Sequence, residues 1–114
     1  MTNRSRKALV IGAGIAGPIA AILLERIGIE AQVFEAWPHS TGIGGGLQIA
    51  PNGMHVLADA GLASDLMRRG SICESIDFYA QSGARLGSVN RDMARRFGQP
   101  SLSMRRAEIG RAHV

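Results

Sequence analysis

A single cysteine, Cys73, stands in the 114 residues of this chain. No intramolecular disulfide can form, which excludes the small secreted domains that rely on such bridges and fits a reducing cytoplasm. Cys73 has no His or Asn at a spacing that marks a nucleophile, and a packed thiol is its plainer role. Aromatic residues are also scarce, at 4%. Residues 64–114 hold nine Arg against five acids and supply the whole net charge of +4, yet Phe97 is the only aromatic after Tyr79. Nucleic-acid surfaces interleave basic residues with aromatics for stacking, so this basic half does not read as a nucleic-acid interface. Its charge could also meet a membrane surface or the phosphates of a cofactor. The uncharged, mostly apolar run Ala8–Leu24 contains three glycines and a proline. It is shorter than the ~20 apolar residues of a spanning helix, so stable membrane insertion is not expected. His39, His55 and His113 are too scattered to suggest a metal site.

The hydrophobic content of 46% is that of a globular chain, and its patterning reads as α/β. Ala8–Ile11 is apolar without alternation and predicts a short buried strand. A glycine turn follows, then a helix from about Gly14 to Ile27 whose apolar face carries Ile15, Ile19, Ile22, Leu23 and Ile27. Pro18 falls in its first turn, where the missing N–H is tolerated, and Gly28 ends it. Ala31–Phe34 predicts a second strand, parallel to the first. The loop 36–46 is rich in Gly, Pro and Ser/Thr. Leu47–Ala50 reads as extended, Pro51 to Ala60 as helix, and Ser64–Arg69 as a short helix capped by Ser64. Ile76–Ala80 and Arg85–Val89 alternate about a four-residue turn and predict a β-hairpin. Arg91–Gln99 is polar and unpatterned, and Ala107–Val114 begins a helix.

The functional signal lies in the glycine turn. Gly12-Ala13-Gly14-Ile15-Ala16-Gly17 matches G-x-G-x-x-G, with a predicted strand before it, a helix after it, and Glu35 eighteen residues beyond Gly17. In this context Gly12 permits the tight turn, Gly14 lets a pyrophosphate approach the backbone, and Gly17 lets helix and strand pack closely. The N–H groups around Ile15 and Ala16 open the helix and can hold the phosphates with the positive end of its dipole. Glu35 can accept hydrogen bonds from an adenosine ribose. Its charge would repel a 2′-phosphate, leaving FAD or NAD as the ligand of this turn.

Two further segments carry a resemblance. Gly44-Gly45-Gly46-Leu47-Gln48-Ile49-Ala50-Pro51-Asn52-Gly53 leads into a helix ending Ala60-Gly61-Leu62, and Arg106-Ala107-Glu108-Ile109 follows near the end. With the opening Gly-Ala-Gly-Ile-Ala-Gly-Pro, these are similar to segments of the FAD-dependent aromatic hydroxylases, the class A flavoprotein monooxygenases. The resemblance implies a Rossmann-like FAD-binding βαβ unit followed by a helix and a hairpin. It also implies non-covalent FAD, NAD(P)H as reductant, and a small aromatic or polycyclic substrate. By position, Gly12, Gly14 and Gly17 would hold the pyrophosphate and Glu35 the ribose. Gly45 and Gly46 would pass near the flavin, and Arg106 would pair with the cofactor, with Arg105 as its neighbouring competitor.

The chain departs from that family in carrying Ala36 and Trp37 after Glu35, where many relatives have Arg or Lys. The family's Asp-Gly and Gly-Asp segments and its substrate domain would fall beyond Val114. Residues 1–114 are therefore expected to be the N-terminal part of an FAD-binding domain, an incomplete domain without an assignable catalytic residue. Two alternatives remain open: an NAD-binding dehydrogenase domain, and a truncated product that binds a cofactor without catalysis.

Overall fold

A computed structural model describes residues 6–38, 44–90 and 92–112. Strand β1 (Lys7–Ile11) leads into helix α1 (Ala16–Arg26) and strand β2 (Glu30–Phe34). The two strands pair in parallel, with Val10 opposite Val33, as the βαβ reading requires. Gly28, at φ +79°, turns the chain out of α1. Helix α1 covers only the face of the pair that carries Ala8, Val10, Ala31 and Val33. Leu9 and Ile11 lie on the open face, where Ile11 is 82% exposed. The expectation of a fully buried strand is thus corrected: an unalternating apolar run suits a two-sided burial that the described residues provide on one side only. Ile27 departs likewise from the predicted apolar face and is exposed, because the helix has ended at Arg26.

The core lies further along the chain. Strand β3 (Gly46–Ile49) is followed by helices α2 (Pro51–Asp59) and α3 (Ala63–Arg69) and the two-residue strand β4 (Ser71–Ile72). Pro51 sits in the first turn of α2, as its fixed φ favours. Ser64 does not cap α3: the helix already begins at Ala63 and has no side-chain cap. Strands β5 (Ser75–Tyr79) and β6 (Arg85–Asn90) form the expected antiparallel hairpin. The supposedly unpatterned stretch after it contains a short helix, α4 (Met93–Phe97), closed by Gly98 at φ +75°. Strand β7 (Leu102–Arg105) and helix α5 (Arg106–Ala112) complete the chain.

Strand β7 runs antiparallel between β3 and β4 in a three-stranded sheet. This sheet is an addition to the expected fold. Its register sets Leu47 opposite Met104 and Ile49 opposite Leu102, with Gln48 opposite Ser103 on the other face. Alternation thus gives the sheet one apolar face. Ile49, Leu102 and Met104 pack there with Met54, Leu57 and Ala60 of α2, Leu66 of α3, Ile109 of α5 and Ile19 of α1. Ile19 ties the βαβ unit to this core. Arg26 also joins them, donating to the Asp59 carbonyl at the end of α2.

Candidate functional site

The glycine turn is built by close packing. A Cβ on Gly17 would lie 1.9 Å from the carbonyl oxygen of Gly12 and 3.3 Å from the Val10 side chain. Only glycine lets α1 start this close to β1. The Gly12 N–H donates to the Phe34 carbonyl at 2.7 Å, fastening the turn to the end of β2. Ile15 stands at the N-cap, half-buried against the core, and Ala16 opens the helix. No side chain caps the helix, and its first turn holds no acid. Its leading N–H groups therefore face outward without a side-chain acceptor, which suits a phosphate and leaves no competing carboxylate in that turn.

Glu35 follows β2 directly. One carboxylate oxygen accepts from the Ala13 N–H at 2.7 Å and the other from the Trp37 N–H at 2.8 Å. These backbone donors, Trp37 first and then Ala13, hold its carboxyl below the usual 4.5. Glu35 is thus ionised and bound to the same turn that the motif defines.

The third part of the site arrives from more than sixty residues away. The Arg106 N–H donates to the Gly45 carbonyl at 3.1 Å. Gly46 pairs with Arg105 in the β3–β7 register. The Arg106 side chain runs past the glycine loop toward the turn: a Cβ on Gly44 would meet its Cδ at 3.0 Å, and one on Gly14 would meet its Nη2 at 3.5 Å. Gly14, Gly45, Gly46 and Arg106, all expected from the sequence, are therefore brought together. Gly44 was not among the expected site residues. With φ +105° and the Arg106 stem against it, it belongs to the site, and its place at the head of three glycines was the available signal. Arg105 is on the sheet, one residue short of this convergence.

Gly46 also borders a cleft of about 720 Å³, lined on the polar face of the sheet by Gln48, Arg69, Ser71, Ser103, Arg105 and Glu108, among others. This cleft lies beside the glycine turn rather than over it, since no residue of the turn lines it. Arg69 is engaged there by Asp65 of α3 at 2.8 Å and Glu108 of α5 at 3.4 Å. His55 lies elsewhere, its ring nitrogen 2.7 Å from the Phe97 carbonyl oxygen. His39 and His113 lie outside the described residues. Among the described residues, no three His, Cys, Asp or Glu side chains group as metal ligands. No helix there is long and apolar enough to cross a membrane.

A parallel βαβ unit with a capless, glycine-packed helix start and an acid at the end of the second strand defines a dinucleotide-binding α/β protein. The family model described as FAD binding domain matches residues 5–108, and the chain belongs to that family. It is 36% identical to 3-amino-4-hydroxybenzoate 2-monooxygenase PtmB3 of Streptomyces platensis, over 98% of this chain and 29% of that protein. It is 35% identical to 6-hydroxynicotinate 3-monooxygenase of Bordetella bronchiseptica, over 70% of this chain and 21% of that protein. Among solved structures it superposes on Klebsiella pneumoniae HpxO, crystallised with FAD and uric acid, with a TM-score of 0.80. That match has 30% identity and covers 95% of this chain and 28% of that one. The chain thus spans less than a third of the length of these relatives.

Proposed function

We propose that this chain forms the adenosine- and pyrophosphate-binding part of a flavin-dependent monooxygenase that hydroxylates a small aromatic or heteroaromatic substrate, with NAD(P)H as reductant. The observation that carries the reading is the meeting of Gly14, Gly44, Gly45 and Arg106 around one point at the start of α1. The β3–β7 pairing brings Arg106 to the glycine loop, but it gives no reason for the guanidinium to reach on to Gly14. An anionic cofactor supplies one.

In this reading Gly14, Ile15, Ala16 and Gly17 present backbone N–H groups to the pyrophosphate, while Gly12, its own N–H held by Phe34, shapes the turn. Arg106 adds a fixed positive charge from the opposite side, and Glu35 accepts from the ribose hydroxyls. Gly45 and Gly46 pass close to the flavin because no side chain keeps it away. Bound FAD would supply the redox and oxygen-transfer chemistry, and the protein supplies orientation and exclusion of water. The polar cleft beyond Gly46 is where a substrate ring would border this chain. Membership in the FAD binding domain family supports FAD over NAD, and the relatives' substrates support an aromatic ring.

Equilibrium binding of FAD, FMN and NAD to the chain and to its Arg106→Ala variant tests this. FAD is expected to bind best, and loss of Arg106 to weaken it at least tenfold, the scale of one charge-assisted contact. Preference for NAD, or FAD binding indifferent to Arg106, would overturn the reading.

A further inference from the structure

Trp37 is the chain's one tryptophan, and it is 60% exposed. Its backbone is nevertheless held on both sides. The N–H donates to Glu35 at 2.8 Å, and the following Pro38 restricts Trp37 to extended backbone conformations. An indole on a pinned backbone keeps its orientation better than one on a free loop, yet the protein leaves most of it uncovered. Such a side chain presents a broad π-face with little conformational freedom to lose on binding. Its location gives the face an occupant. Trp37 is two residues beyond Glu35 and bonded to the carboxylate that serves the ribose, so the base attached to that ribose is the nearest planar group a ligand would bring.

We propose that Trp37 is the adenine platform of the site, stacking its indole on the purine of the FAD adenosine. This inference rests on the FAD reading above. Stacking recognises the base and is indifferent to the flavin, so ADP, which has the same adenosine and pyrophosphate, is a sufficient probe.

The test combines two measurements on the 114-residue chain. ADP is titrated while Trp37 emission is followed, and ADP and FAD affinities are measured by calorimetry for wild type, Trp37→Ala and Trp37→Phe. Saturable quenching by ADP is expected. Trp37→Ala should lose about tenfold or more in both affinities, the scale of one base–aromatic stack, and Trp37→Phe should recover to within about threefold. Thermal melts without ligand should coincide for all three, because the indole is largely in solvent. ADP binding with unchanged emission, or FAD binding equally tight in Trp37→Ala, overturns the platform and leaves the FAD reading standing. A ligand-free melt that falls in Trp37→Ala and is not restored by Phe also overturns it, by making the role structural. A wild-type chain whose circular dichroism shows it folded, and which binds neither ADP nor FAD, overturns both.

Discussion

A methyl group on Gly17 would stand 1.9 Å from the Gly12 carbonyl oxygen, so Gly17→Ala must push α1 away from β1 or distort the turn. Overpacking of this kind costs about 1–3 kcal/mol. Urea unfolding should show that loss, and FAD affinity should fall with it, because the displaced helix start is the proposed phosphate site. Glu35 makes a second prediction, in pH. Its folded-state pKa is depressed by the N–H groups of Trp37 and Ala13. Its contribution to stability is therefore fully present above its ordinary value of 4.5 and is lost as pH falls through the lower folded value. Asp65 and Asp77 are also held low, by Arg69 and Ser88 respectively, so wild type alone cannot isolate the effect. The urea midpoint of wild type should drop more steeply than that of Glu35→Gln from about pH 4.5 downward. Parallel curves would show that Glu35 does not fasten the turn. Much of this was legible beforehand: the spacing of Gly12, Gly14 and Gly17 with Glu35 identifies a dinucleotide turn from physical chemistry, while Gly45, Gly46 and Arg106 needed the family resemblance. Gly44 was hidden because its positive φ and its contact with Arg106 arise only when distant segments meet.

At the scale of elements, legibility followed length and periodicity. Helix α1 and the β5–β6 hairpin have enough residues for a period to register, and α2 is announced by Pro51. Strand β7 has four residues, Leu102-Ser103-Met104-Arg105, and β4 has two. Pieces that short carry no readable period, and both exist because β7 finds partners in β3 and β4. The consequence is large, since the unread strand supplies the centre of the core. Leu102 is fully buried beneath Gly70, where an added Cβ would lie 2.7 Å from its Cγ. Leu102→Ala is expected to cost about 2–5 kcal/mol, measured by denaturant unfolding. It should also weaken FAD binding, because β7 delivers Arg106 at its end. A loss below about 1 kcal/mol would mean that the surrounding helices close the cavity.

Across the whole molecule, burial is uneven. The Cα radius of gyration is 18.0 Å and the extents are 70 × 34 × 19 Å, whereas a compact chain of this length would have a radius near ~13 Å. The buried residues gather around α2, α3, β7 and α5. The hairpin has none: every residue of β5 is exposed, and in β6 only Gly87 is partly covered. Its register places Ile76 opposite Val89 on one face, while the Asp77–Arg85 ion pair, 3.0 Å apart, joins the two strands elsewhere. A two-stranded ribbon without a packed face is marginally stable in water. The hairpin should therefore open without unfolding the core, and its amides should exchange well before those of β7. For the same reason Phe78→Ser, at a half-exposed position, should change the global unfolding free energy by less than about 0.5 kcal/mol. Leu102→Ala in the same preparation should remove several times that amount. If Phe78→Ser proves as damaging as Leu102→Ala, the hairpin is packed in solution and the chain has a second core; if the two separate as expected, one core carries the site and the hairpin's apolar face is free to meet another surface.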